Sequence, residues 1–440
     1  TTYMIEGIYK ENVNIFIIEP TIPAVDSVTV RQKEKLGKYI VGSAAESKVN
    51  YKNTFLEKIR QKTNKLEIKH LKTDIATPIV YCTSGHMEIV FQDLMMYANK
   101  FGTKDLDLTF CDVLMIDEAH IKSKNMEMIL ALWKNLYDKG ANVPRLILAS
   151  ATLNIELTPF PEAPIIEIQT TSYPVDILYH NKIYQPSSKE LYIDLSEIIV
   201  QKHQENTDYL KNSYYEKISK KTKKIKIKET EGSTWLVFCA GASEVELVTN
   251  MLRSKDPSLL VVPAYAEMQS EDKNKIFNPC PKKMRKIIVS TNIAESSITI
   301  NNLSGIFDSL TEKILVTSSS GGTRLKLTNI SKSSANQRKG RTGRTRPGFI
   351  YRMCSEEYFE KLEDQRESEI FRIPIHTTMI QILNMKLMPQ KLFPFLPNIK
   401  INDSIEQLNK LNMIDSSGRI TDIGKFASNF SFSIKNSAML

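Results

Sequence analysis

Asp117, Glu118, Ala119 and His120 stand directly behind the apolar run Val113-Leu114-Met115-Ile116. Two adjacent carboxylates at the carboxyl end of a buried parallel strand lie where α/β sheets bind ligands. There one can hold a hydrated Mg2+ and the other can polarise a water. The alternative is a pair of solvated acids ahead of a helix, whose N-terminus favours negative charge. About 30 residues on, behind the run Leu146 to Ala149, come Ser150, Ala151 and Thr152, small hydroxyl residues able to hydrogen-bond to the acid-bearing loop. A third cluster is Gln337-Arg338-Lys339-Gly340-Arg341-Thr342-Gly343-Arg344, with Arg346 beyond it. Glycines between arginines let backbone approach a ligand while guanidinium forks project, a chemistry matched to phosphate oxygens and to charge developing in phosphoryl transfer. An exposed basic loop is the other reading.

The elements that must position these residues follow from the apolar runs. Ile15 to Ile18, Ile79 to Tyr81, Val113 to Ile116 and Leu146 to Ala149 are short, bounded by turn residues and separated by helix-length segments, among them Met126 to Trp133. That pattern predicts a parallel sheet with crossover helices. Pro159, Pro161 and Pro164 then mark a linker. A second series, Trp235 to Phe238, Leu259 to Val262, Ile287 to Val289 and Gly348 to Tyr351, predicts a second α/β domain. From about Glu356 the chain turns mostly helical, with Ile405, Leu408 and Leu411 at helical spacing. Gly418 falls in a tight turn between two short β-prone pieces, which fits a small helical domain ending in a β wing.

Composition bounds the rest. The chain has 440 residues, 41% hydrophobic, enough for about three domains at roughly 150 residues each. Lys and Arg total 59 against 50 Asp and Glu, a formal charge of +9 that favours an acidic partner such as nucleic acid. Cys82, Cys111, Cys239, Cys280 and Cys354 show no CxxC spacing, which argues against a zinc site or a disulfide framework and reads as core thiols in a reducing compartment. No run approaches the roughly 18 apolar residues of a membrane span, and the N-terminus lacks a signal-peptide pattern. The nine residues Lys220 to Lys228 include six lysines, either a solvated face or a nucleic-acid contact or localisation signal.

The three clusters, in this order, resemble the superfamily-two helicases, within them the DEAH-box group and its flaviviral and poxviral relatives. Leu236 to Glu246 is similar to that group's fourth motif, Ser290 to Ile300 to its fifth and Ile330 to Arg344 to its sixth. Ile276 to Pro281 resembles the segment after the fourth motif, Glu19 to Val25 motif Ia and Cys82 to Met87 motif Ib. Where DEAH proteins usually carry arginines in motif Ia, this chain has Thr21 and Ile22, which leans toward a viral-type subgroup. The phosphate-binding GxxxxGK[ST] loop, expected ahead of motif Ia, is not found in the 440 residues. Either the sequence is a piece of a longer helicase, inactive alone, or it has lost hydrolysis. Truncation is the expectation, because the rest of the hydrolytic set is intact.

The resemblance implies two RecA-like parallel-sheet domains in tandem, residues 1–163 and 164–355, followed by a small winged-helix domain and the start of a helical extension at 356–440. It implies ATP and Mg2+, with Asp117 and Glu118 managing metal and attacking water beside His120, and with Gln337, Arg341 and Arg344 completing the catalytic set. Ser150 and Thr152 would support the nucleotide site, with Arg31 and Phe277 on the two faces of the base. Single-stranded nucleic acid, RNA favoured, would meet Pro20, Thr21, Thr83, Ser84 and Gly85 on one side and Gly241, Thr291 and Asn292 on the other. A β-hairpin over Leu315 to Leu327, around Gly321 and Gly322, would wedge a duplex apart; an inert surface hairpin is the duller option. A monomer is expected, open to protein activators, and nucleus, cytoplasm and virion are equally compatible. A non-hydrolysing helicase-like nucleic-acid-binding or scaffold protein is the rival.

Overall fold

The structure is a computed structural model that describes residues 13–36, 41–43, 79–150, 160, 162–168, 172–205, 233–268, 270–281, 284–296, 300, 303–317 and 322–428. Lys220 to Lys228, Ala151, Thr152 and Gly321 lie outside the described residues. The strands are β1 (Ile15–Glu19), β2 (Val41–Ser43), β3 (Ile79–Thr83), β4 (Val113–Ile116), β5 (Arg145–Leu148), β6 (Val175–Tyr179), β7 (Ser233–Phe238), β8 (Leu260–Ala264), β9 (Arg285–Ser290), β10 (Leu303–Asp308), β11 (Thr311–Thr317), β12 (Thr323–Asn329) and β13 (Gly348–Arg352). The helices are α1 (Ile22–Leu36), α2 (Ser84–Phe101), α3 (Lys124–Asp138), α4 (Lys189–Gln204), α5 (Ala242–Lys255), α6 (Ser270–Phe277), α7 (Ile293–Ser296), α8 (Lys332–Lys339), α9 (Glu356–Glu360), α10 (Glu369–Arg372), α11 (His376–Asn384), α12 (Pro389–Leu392), α13 (Asn398–Lys410) and α14 (Asp422–Ser428).

The chain divides into two compact units, one of Thr1–Pro164, Leu315–Arg324 and Glu367–Leu440, the other of Ile165–Ile314 and Leu325–Arg366. In the first, a sheet of order β2-β3-β1-β4-β5 is built from parallel pairs. Ile15, Phe16, Ile17 and Ile18 are all buried, as strands covered on both faces require. Phe16, Ile18, Val80, Cys82, Leu114 and Ile116 share one core with α2 and α3; Ile15, Ile17, Ile79, Tyr81, Val113 and Met115 share another with Val25 of α1. Helix α3 buries Met126, Ile129, Leu130, Trp133 and Leu136 at helical spacing, and its N-cap Ser123 accepts from the Met126 N–H at 3.3 Å.

The α10–α14 region shares the core of this same unit: Ile370, Ile375, Met379, Ile401 and Leu408 pack in the cluster that holds Phe16 and Leu132. Near its end, Gly418 (φ +77°) makes the expected turn, with an antiparallel bridge between Ile414 and Ile420.

The second unit holds a sheet of order β6-β13-β10-β7-β9-β8, again of parallel pairs. Strand β10 shifts register at Gly305, where a Cβ would lie 2.5 Å from the Phe349 ring and 2.9 Å from Trp235, so only glycine fits against that edge-to-face aromatic pair. Strands β11 and β12 pair as a separate two-stranded sheet over the span Leu315 to Leu327, where a hairpin around Gly321 and Gly322 is expected; the stretch Leu315–Arg324 belongs to the first unit. Two parallel sheets with crossover helices are the tandem RecA-like architecture. Of the five cysteines, Cys82, Cys111, Cys239 and Cys354 are buried thiols as expected, but Cys280 is half-exposed because it sits in the loop after α6.

Candidate functional site

Asp117 and Glu118 leave the carboxyl end of β4, and the Asp117 N–H still donates to Ile18 O at 3.0 Å, so the pair emerges in register with β1. Asp117 Oδ1 accepts from the Glu118 N–H at 3.0 Å. Glu118 sits at φ +51°, ψ +41°, a left-handed backbone that costs a non-glycine residue free energy and turns its carboxylate out of strand direction. Glu118 Oε2 lies 3.4 Å from His120 Nδ1, and that same nitrogen is 3.0 Å from Ser150 Oγ. The expected link between the acid-bearing loop and the hydroxyl after β5 is therefore direct. Lys122, also left-handed at φ +44°, ends the loop ahead of α3.

Glu19, the last residue of β1 and part of the stretch that resembles motif Ia, is 4% exposed and belongs to this acidic corner. Burial, then the charges of Asp117 and Glu118, push its carboxyl up to about 8. Tyr81 is fully buried on the same sheet face, its hydroxyl unpartnered among the described residues; burial and the charges of Glu19 and Asp117 raise its pKa. The only sequence signal for Glu19 is an acid ending an otherwise wholly apolar strand.

Thr83 caps α2, its Oγ1 accepting from the His86 N–H at 3.4 Å; Ser84 is buried and Gly85 half-buried in the first turn. Thr21 Oγ1 accepts from the Ala24 N–H at 3.3 Å at the start of α1, next to half-buried Pro20, and Arg31 is exposed further along that helix.

In the second unit, Gly241 caps α5, and the loop after β9 carries half-buried Thr291 and exposed Asn292. Phe277, the last residue of α6, is 53% exposed. The arginine cluster separates by role. Arg338 is wholly buried, its Nη1 2.7 Å from Asp308 Oδ1 and its Nε 2.9 Å from Glu295 Oε2, over the Phe238 ring. Arg341 is half-buried and donates to Glu295 O, whereas Arg344 is exposed, its Nε donating to Gly340 O at 2.9 Å. Gln337 is half-buried on α8, one turn before Arg341. Gly343 is required by packing within this unit. Its φ is +75° and a Cβ would meet Tyr173 O at 2.8 Å and Val175 Cγ2 at 2.6 Å, so it admits the approach of β6.

Carboxylates of this kind suit a hard cation. Among the described residues no three of His, Cys, Asp and Glu converge to cage a metal. Mg2+ is bound through one or two carboxylates and keeps its other positions for water and phosphate. Among the described residues, no helix is long and apolar enough to cross a membrane.

Residues 216–346 match the helicase conserved C-terminal domain. The chain is 32% identical over 331 residues to the ATP-dependent RNA helicase HrpA of Borreliella burgdorferi, across 73% of this chain and 37% of that protein. It is 28% identical over 359 residues to the probable ATP-dependent RNA helicase DHX34 of Mus musculus, across 79% of this chain and 29% of that one. The chain thus spans about a third of the length of these relatives. The crystal structure of Escherichia coli DEAH/RHA helicase HrpB superposes with a TM-score of 0.71 at 21% identity, over 97% of this chain and 48% of that one.

Proposed function

We propose that this chain, a relative of the DEAH/RHA-type superfamily-two helicases, is the motor portion of an ATP-dependent helicase that translocates on single-stranded nucleic acid, RNA favoured. The observation that carries the reading is the Asp117–Glu118 pair at the end of β4, with Glu118 held near His120 and His120 bonded to Ser150. Its relatives' names support RNA as the track. Residues 1–163 and 164–355 are read as the two RecA-like lobes and 356–440 as a winged helix, in keeping with the turn at Gly418 and the helices around it. Thr21 and Ile22, in place of arginines, support a viral-type subgroup.

Bound Mg2+ would supply charge neutralisation at the phosphates. Asp117, fixed by the Glu118 N–H, would hold it through water, and the three crowded carboxyls of Glu19, Asp117 and Glu118 make a field that a divalent cation relieves. Glu118 takes a proton from the attacking water, and His120 and Ser150 keep that carboxylate aimed. Ser150 and Thr152 serve the nucleotide site, and Gln337 orients the water. Arg341 and Arg344 stabilise charge on the transferring phosphoryl group, which requires positioned cations. Arg31 and Phe277 take the base. Pro20, Thr21, Thr83, Ser84, Gly85, Gly241, Thr291 and Asn292 take phosphates, so binding is sequence-tolerant and salt-dependent. The β11–β12 hairpin parts the duplex.

ATP hydrolysis by the full-length protein, measured with and without single-stranded RNA, tests this. Stimulation of at least several-fold by RNA is expected; an RNA-binding protein with no ATP turnover under any condition would favour the non-hydrolysing rival.

A further inference from the structure

Lys286, on β9, is 2% exposed, an unusual position for an ammonium group. Its Nζ donates to three backbone carbonyls, Lys275 O at 2.8 Å, Ile276 O at 2.8 Å and Asn278 O at 2.6 Å. An ammonium has three donors, and here each finds an acceptor. Two acceptors are last-turn carbonyls of α6, which no helical N–H can reach, and the cation sits at the negative end of the helix dipole. The third lies one residue past the helix. These contacts bracket Phe277 on both sides.

Phe277 is the exception within this clamp. Ile276 is 3% exposed and packs into the core with Leu236 and Ile288, while the neighbouring Phe277 ring is 53% exposed. The chain continues through Asn278, Pro279, Cys280 and Pro281, where prolines give no N–H to cap the helix end. Without Lys286, the carbonyls around Phe277 would need other donors and the helix end would fray. A fixed backbone under an exposed aromatic ring is what a stacking platform needs, because the ring then loses little freedom on meeting a flat ligand.

We infer that Lys286 is a positioning residue for nucleotide: it clamps the end of α6 so that Phe277 is presented, preorganised, to the face of the nucleotide's base. This rests on the reading of Phe277 as a base contact given above. The alternative, a lysine that merely holds β9 to α6, would lower stability without touching base binding selectively.

A double-mutant cycle in the full-length protein separates them, with KM for ATP and kcat measured for wild type, Phe277→Ala, Lys286→Met and the double variant. Phe277→Ala and Lys286→Met are each expected to raise KM several-fold, with the smaller factor in kcat, and the double variant to be no worse than Phe277→Ala alone. If Lys286→Met leaves KM unchanged, or if its effect multiplies with that of Phe277→Ala, the positioning role is wrong while the base contact stands. If Phe277→Ala leaves KM unchanged, the base contact itself is wrong and the inference goes with it. Should Lys286→Met fail to fold, Lys286→Gln, which keeps two of the donors, carries the same test. A smaller rise in KM that vanishes in the Phe277→Ala background is then expected, and a rise of the same size in both backgrounds overturns the inference.

Discussion

The backbone N–H of Lys124 donates to Glu369 Oε2 at 2.8 Å, across 245 positions of sequence. Lys124 is the first residue of α3, the helix that follows the Asp117–Glu118 loop, and Glu369 opens α10. A carboxylate at a helix N-terminus satisfies an orphan N–H and meets the positive end of the dipole. The contact is reinforced, since Ser368 Oγ donates to Lys122 O at 3.2 Å and the Glu369 N–H to the same carbonyl at 3.2 Å. The loop carrying the acid pair is thus anchored by the region after the second sheet. Glu369→Ala should cost about 1–2 kcal/mol, read as a drop of a few degrees in the thermal midpoint. It should also lower ATP turnover by loosening the loop. A midpoint within a degree of wild type would show the anchor to be idle.

Three residues further on, Arg372 reaches the β11–β12 pair. Its Nη1 donates to Leu315 O at 2.9 Å, Thr317 Oγ1 donates to Arg372 O at 3.0 Å, and its Nε donates to Glu367 O at 3.1 Å. An exposed hairpin can part a duplex only if it resists bending. Arg372→Ala is expected to cut duplex unwinding about tenfold while RNA-stimulated ATP hydrolysis stays within about twofold, because bonds of this kind contribute about 1 kcal/mol each. Equal loss in both assays would mean the contact serves the fold at large.

Arg338 and Arg344 should behave differently although they share one motif. Arg338→Met would leave the buried Asp308, and the largely buried Glu295, without their cation, a change that costs about 3–5 kcal/mol. Loss of folded protein should therefore precede any catalytic effect. Arg344→Ala, at an exposed side chain, should leave the melting curve in place and reduce kcat by a factor on the order of 100 or more. Circular-dichroism melts alongside turnover decide the matter, and unchanged stability in Arg338→Met would contradict the buried ion-pair assignment.

Glu19 gives a pH signature. Its carboxyl is held near 8 in the folded chain against 4.5 for an ordinary glutamate, so between those values the folded state binds the extra proton. Folding stability then falls as pH rises through about 4.5 to 8, and is lowest above the folded value. Glu19→Gln mimics the protonated form and should flatten that fall, melting higher than wild type at pH 8.5 in the absence of divalent cations. A wild-type profile that parallels the variant's would show Glu19 to be ionised at neutrality.

Much of the fold could be read from the chain because the central strands are near-continuous apolar runs; β1, β3, β4, β7 and β9 fall where those runs lie. Strand β10, Leu-Ser-Gly-Ile-Phe-Asp, escaped because Ser304 and Gly305 break its run, and Gly305 is there for the rings of Trp235 and Phe349. Strand β6 escaped because it is a sheet edge with Asp176 and Ile177 exposed. In the site, the acids and the hydroxyl of Ser150 were legible from their place after strands. The division of labour among Arg338, Arg341 and Arg344 was not, since a run of arginines carries no mark of which one folds inward against Asp308. Glu19 is similar: its neighbours Asp117 and Glu118 are distant in sequence, and only the strand register brings them alongside.

The most direct test of the motor assignment is RNA-stimulated ATP turnover by Glu118→Gln in the full-length protein, measured beside its equilibrium binding of ATP and RNA. Turnover should fall by a factor on the order of 1,000, with both affinities within about threefold of wild type. Turnover equal to wild type would contradict the role given to Glu118 and, with it, the account of the site.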